Sequence, residues 1–154
     1  MKTTASKTFF MLSVFGFLMI CGCSTANTKI CCLSKTDKIA IETVVNEYVI
    51  ATLSDDCLVL ASLFAEDGIQ IPPDVPPHHS RKAIRDWCDE EDIEISDLVM
   101  PIDDIEGCRD IAWVRGSYQF QFMDLVKGNY VMTLKRQPDD LWQINILIWT
   151  NQSK

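Results

Sequence analysis

The chain is poor in the residues on which several common chemistries depend. It has only two histidines, His78 and His79, and because they are adjacent the HExxH pattern of a zinc helix is absent. Its six glycines never stand closer than six positions. That spacing excludes a P-loop, a GxGxxG dinucleotide turn and a GxSxG nucleophile elbow, all of which need clustered glycines to bring backbone close to a phosphate or expose a serine. None of the seven cysteines has CxxC spacing, so zinc ribbons and thioredoxin-type redox motifs are excluded as well. Basic residues are also few: 14 Lys plus Arg face 22 Asp plus Glu, a formal charge of −8. Nucleic acid is therefore not an expected partner, because phosphate binding depends on Lys and Arg displacing counterions. What the sequence does have is 47% apolar residues in 154, enough to bury the core of one ordinary domain.

The N-terminus reads as an address. Lys2 and Lys7 precede the apolar run Phe9 to Ile20, which ends in Ile20-Cys21-Gly22-Cys23. As a helix that run would be roughly 18 Å long, short of the roughly 30 Å hydrocarbon core a permanent span must cross. Residues 1–22 are thus predicted to be a signal peptide. The end of the run resembles a bacterial lipoprotein box, which implies cleavage before Cys23 and lipidation of its thiol; Cys21 stands where Ala, Ser or Thr is commoner, so ordinary secretion is the alternative. Ser24 after the cysteine implies sorting to the outer membrane, facing the periplasm. Loss of Lys2 and Lys7 leaves 12 basic residues against 22 acidic, so the formal charge falls from −8 to −10. The membrane is met through the lipid anchor, without a basic patch. Residues 23–35 form a short tether.

An exported chain matures where thiols oxidise. After Cys23 is lipidated, Cys31, Cys32, Cys57, Cys88 and Cys108 remain, an odd number whose connectivity spacing alone does not give. Cys57 and Cys88 fall on apolar helical faces, where buried inert thiols are the alternative to a disulfide.

Beyond the tether, Ser34 and Asp37 have the spacing of a capping box, and Ile41, Val44, Val45, Tyr48 and Val49 recur at helical period to about Leu53. Ser54-Asp55-Asp56 is predicted to start a shorter helix with Cys57, Leu58, Leu60, Ala61 and Phe64 on its apolar stripe, ending at Gly68, with Asp67 satisfying local amides at its end. Ile69 to Ile71 is a short strand, and Pro72 to Pro77 a stiff loop because proline lacks the amide donor. Ser80 caps a third helix that places Ala83, Ile84, Trp87 and Cys88 inward. From Ile93 the pattern becomes β: Ile93 to Ile105 interrupted by Pro101, a turn at Glu106-Gly107, Ile111 to Phe122, Val126 to Arg136, and Leu141 to Thr150. In Ile111 to Phe122, Ala112, Val114, Gly116, Tyr118, Phe120 and Phe122 share one face. Helices followed by antiparallel strands predict an α+β domain with helices on one side of a curved sheet.

The segments Tyr48-Val49-Ile50-Ala51, Leu63 to Gly68, Ile71-Pro72-Pro73, Arg81-Lys82-Ala83-Ile84 and Tyr130 to Trp149 together resemble SnoaL-like proteins. These belong to the nuclear transport factor 2-like superfamily, with the ketosteroid isomerases and polyketide cyclases. The resemblance spans residues 36–151. It implies a cone, three N-terminal helices packed on a curved, mostly antiparallel sheet, with an apolar pocket at one end and homodimers formed through the outer sheet face. Relatives usually have glycine where this chain has Ser80 and Asp140. An isomerase of this kind needs a carboxylate base together with a tyrosine and a protonated acid. Tyr48 falls at the tyrosine position, but Pro72 occupies that of the base, and Met132 or Thr133 that of the second acid. None of these can take up the proton.

The resemblance and the face pattern together nominate Tyr48, Trp87, Tyr118, Tyr130, Asn145 and Trp149 as the lining of a pocket for a small, largely apolar molecule. Asn145 and Gln143 are the amides on the last strand, although that face could equally be turned to solvent. His78 or His79 could act with Tyr48 in an isomerase- or cyclase-type enzyme, and an envelope protein-interaction module is a third reading. Neither a cofactor nor a metal is predicted. A metal on His78, His79 and Asp74 is disfavoured because neighbouring side chains of an extended segment point opposite ways. Asp89 to Asp92 reads as a solvated acidic rim.

Overall fold

The computed structural model describes residues 32–91 and 95–152. The signal peptide, Cys23 and most of the tether lie outside the described residues, as does Asp92 to Glu94 at the predicted start of the first long strand. None of the helices among the described residues is long and apolar enough to cross a membrane.

Helix α1 (Lys35–Leu53) begins with the capping box its sequence promised: the Ser34 hydroxyl accepts from the Asp37 amide while the Asp37 carboxylate accepts from the Ser34 amide. Asp37 also pairs with Arg136 from the far strand. Hydrogen bonds from Ser34 and then Arg136 hold its carboxyl down at about 2. The helix buries Ile41, Val44, Val45, Tyr48 and Ala51. Full burial of an aliphatic side chain contributes about 1.5–3 kcal/mol, so this stripe alone fixes the helix to the sheet.

Helix α2 (Cys57–Ser62) is shorter than its sequence suggests. The expected continuation through Phe64 to Gly68 is instead strand β1 (Phe64–Ile71), with Leu63 as the cap of the helix. Pairing decides the matter: Phe64 lies opposite Ile144 and Ile69 to Ile71 opposite Ile146 to Ile148 in parallel register, burying Phe64 completely. Asp67 is therefore not a helix-end cap but an exposed strand residue paired with Lys135. After the proline loop, His78–His79 form a two-residue strand β2 along β1, rather than a continuation of loop.

Helix α3 (Arg81–Glu90) starts at Ser80, whose hydroxyl accepts from the Ala83 amide. Strands β3 (Ser96–Val99), β4 (Ile102–Cys108), β5 (Ile111–Gln121), β6 (Leu125–Arg136) and β7 (Trp142–Asn151) follow. The predicted turn at Glu106-Gly107 is displaced, since β4 runs on to Cys108 and the chain reverses at Arg109-Asp110. The seven strands form one sheet in the order β2-β1-β7-β6-β5-β3, with β4 also on β5. Among the described residues, only β1 and β7 pair in parallel.

The two departures from the glycines of SnoaL-like relatives have a conformational meaning. Ser80 has φ 91° and Asp140 φ 65°, both in the left-handed half of the map where glycine costs least. Ser80 recovers part of that cost as the cap of α3. Asp140 sits in the β6–β7 turn, where aspartate tolerates this conformation better than most residues.

The thiols of Cys57 and Cys88 are not separate: they form a disulfide joining α2 to α3. Cys108 is also disulfide-bonded, and Cys32 carries a free, exposed thiol.

Candidate functional site

Between the helices and the concave face of the sheet lies a cavity of about 320 Å³. Its floor is made of buried groups: Tyr48 from α1, Pro72 after β1, Leu98 of β3, Tyr118 of β5, Tyr130 of β6 and Leu147 of β7. Val75, Phe122 and Asn151 are exposed and mark the mouth, while Trp87, Glu91 and Trp149 are half-buried between the two. Met100, Phe120, Val126, Ile95, Pro73 and Thr52 complete the wall.

The tyrosines reach into the cavity because of what faces them. Gly116 lies opposite Tyr130, and Gly128 opposite Tyr118, across the β5–β6 pair. A Cβ at Gly116 would come within 2.8 Å of the Tyr130 ring, and one at Gly128 within 2.6 Å of the Tyr118 ring. Each ring thus occupies space that only glycine leaves free.

The hydroxyls are individually held. Tyr48 Oη accepts a 3.2 Å hydrogen bond from the Gln70 side-chain amide, itself 1% exposed. Burial raises the Tyr48 hydroxyl to about 12, against a smaller opposing pull from its bonds with Gln70 and Thr52. Tyr48 is consequently a neutral proton donor at physiological pH. Tyr118 Oη donates to Asn151 Oδ1 at 2.7 Å and is pushed up to about 12 by burial. Tyr130 Oη donates to the Met100 carbonyl at 3.5 Å, and burial, then the charge of Asp103, shifts it upward too. Trp87 Nε1 donates to Glu91 Oε1 at 2.9 Å, one helical turn on, and the Trp87 ring lies 6.5 Å from that of Trp149.

Five of the six nominated lining residues, Tyr48, Trp87, Tyr118, Tyr130 and Trp149, meet in this cavity. Asn145 does not. On β6 Thr133 and Leu134 are consecutive, yet their partners on β7 are Ile146 and Ile144, so Asn145 is the extra residue of a β-bulge. The bulge shifts the alternation, putting Trp142 and Ile144 inward before it and Leu147, Trp149 and Asn151 after it. Asn151 is the amide that the last strand brings to the pocket. Gln143 instead bonds Arg81 and the Ser62 carbonyl, tying α2 and α3 to the sheet.

The histidines stand outside. His78 stacks against Trp87, ring centroids 4.6 Å apart, and His79 is exposed; neither lines the cavity. Pro72 is in the lining, where the resemblance puts the base position, whereas Met132 and Thr133 are not. Sequence reasoning missed Glu91 and Asn151, although each follows a nominated tryptophan at the period of its element, four residues on in a helix and two in a strand. Among the described residues, Asp55, Cys57 and Cys88 are close enough to share a metal ion, but the disulfide uses both sulfurs.

No protein-family model matches the sequence, and no curated protein does. Solved structures do. A ketosteroid isomerase-like protein from Erwinia carotovora atroseptica superposes with a TM-score of 0.71 at 14% identity, covering 79% of this chain and 100% of that one. An NTF2-like protein with a cystatin-like fold from Novosphingobium aromaticivorans gives 0.68 at 18% identity, over 77% and 83% of the two chains. An NTF2-like protein of unknown function from Pseudomonas putida gives 0.66 at 11%, over 79% and 91%. At these identities the likeness speaks for architecture alone, and the chain has the nuclear transport factor 2-like, cystatin-like α+β fold.

Proposed function

We propose that this chain is a binding domain of the bacterial cell envelope that takes a small, largely apolar molecule into the cone. The observation that carries this is the pocket itself: aromatic and aliphatic on nearly every side, with Tyr48 as a neutral donor and Pro72, which cannot accept a proton, both in its floor. The isomerase reading through His78 or His79 loses its support because neither ring lines the cavity.

Titration of the protein with a steroid enone, followed by Trp87 and Trp149 fluorescence and paired with an isomerisation assay, tests the proposal. Saturable binding without turnover is expected. Tyr48→Phe should weaken carbonyl ligands by about 0.5–1.5 kcal/mol, the worth of one neutral hydrogen bond. Fast turnover that disappears in Tyr48→Phe would replace the binding domain by an enzyme, and no binding by any apolar probe would leave the interaction module.

The proposal includes lipidation of Cys23 and a homodimer through the outer sheet face. That face exposes Trp113, Val131 and Ile148 on the adjacent strands β5, β6 and β7, with Val131 opposite Ile148. The wild-type chain should fractionate with membranes and Cys23→Ala should not. The unlipidated chain should sediment as a dimer, and a monomer at high micromolar concentration would contradict that part.

A further inference from the structure

The charge inside the pocket is one-sided. Among the described residues its lining carries a single charged side chain, Glu91, and neither lysine nor arginine, while seven aromatic rings face the space. Within helix α3 the Glu91 carboxylate has one partner, the Trp87 indole, and the helix end itself does not favour a negative charge there. Glu91 caps the C-terminal end, where the helix dipole presents partial negative charge and where cations are the stabilising choice, and the last turn holds no basic residue. Trp87 engages only Oε1 of that carboxylate. The second oxygen and the helix terminus present negative electrostatic potential, and beside them stand the Trp149 ring and the Trp87 ring, one face of which His78 covers.

From this juxtaposition we infer that the ligand is an organic cation, an apolar amine or quaternary ammonium whose charged head lies among Trp87, Trp149 and Glu91. The inference rests on the binding reading above and names its ligand class. A neutral apolar ligand covering Glu91 would strip water from a carboxylate and give nothing back, and an anion would also be repelled by it. A cation replaces the lost water with an opposite charge and the neighbouring indole rings. The apolar body then fills the floor, and the Tyr48 hydroxyl is free to donate to an acceptor at the other end. The formal charge of −8 adds a long-range field of the same preference, which speeds encounter with cations.

The test compares two probes of one shape, a phenylalkyl chain ending in trimethylammonium and the same chain ending in tert-butyl, titrated calorimetrically into the full-length protein. The cation should bind roughly tenfold more tightly. Glu91→Gln keeps an oxygen for Trp87 and should reduce that preference to about twofold, by weakening the cation and by relieving the neutral probe of the cost of covering a carboxylate. Glu90→Gln removes the same charge from an exposed position on the same helix and should leave the preference intact. Equal affinity of the two probes for the wild type, or a preference that Glu91→Gln and Glu90→Gln alter alike, overturns the cation and leaves the binding domain standing. If neither probe binds, the binding reading fails and the inference with it.

Discussion

Replacing Cys57 and Cys88 together by serine should cost the domain about 3–4 kcal/mol and lower its midpoint of thermal unfolding by roughly 10 °C or more. The two cysteines are 31 residues apart, so their disulfide removes a long loop from the freedom of the unfolded chain; in the chain-entropy account a closure of that length contributes an amount of this size. The closed loop contains β1, the proline segment and β2. It also joins the short α2 to α3, and α3 carries two pocket residues, Trp87 beside Cys88 and Glu91 at the helix end. Ligand affinity should therefore fall with stability, because the wall bearing Trp87 loses its covalent tie to α2. Urea unfolding of the double variant, with Cys108 still bonded, separates this bridge from the other disulfide, which a reductant alone would not do. A loss below about 1 kcal/mol would mean that the contacts between α2 and α3 hold the wall without the bridge.

The sequence displayed most of this architecture because its signals were local and periodic. Ser34 and Asp37 form a capping box three residues apart, and Ala112, Val114, Gly116, Tyr118 and Phe120 alternate along one strand. The misplacements arose where a distant partner overrode the local pattern. Leu60, Ala61, Phe64 and Ala65 have helical spacing, and only the parallel pairing of Phe64 with Ile144 on β7 makes a strand of Phe64 to Gly68. Asn145 has the alternation of a pocket residue until the bulge at that point shifts the register of β7. The charged side of the pocket was obscured differently. Glu91 belongs to an acidic run, Asp89 to Asp92, that reads as a solvated rim, and composition cannot say which member the end of a helix will turn toward Trp87.

Gly128→Ala should be the more damaging change to the site, with a stability loss of about 2–3 kcal/mol or more and loss of pocket binding even at temperatures where the variant remains folded. Gly128 does not have the positive φ for which glycine is usually selected, so the reason is space. A Cβ built there would lie 2.0 Å from the Thr150 carbonyl oxygen and 2.6 Å from both Cε1 and Oη of Tyr118. A flexible side chain could swing away from such a contact, but the carbonyl belongs to the backbone of the neighbouring strand β7, so the end of that strand must shift. The Tyr118 ring must also lift off the strand into the cavity, which breaks its hydrogen bond to Asn151 and fills volume the ligand needs. Tyr118→Phe alone removes the hydrogen bond and keeps the ring in place; it should cost only about 1 kcal/mol and preserve binding of an apolar probe. The two variants therefore separate the shape of the cradle from the polar bond it supports. Urea unfolding and fluorescence titration on both provide the comparison, and a Gly128→Ala protein with wild-type stability and affinity would show that the Gly128–Tyr118 pairing does not shape the pocket.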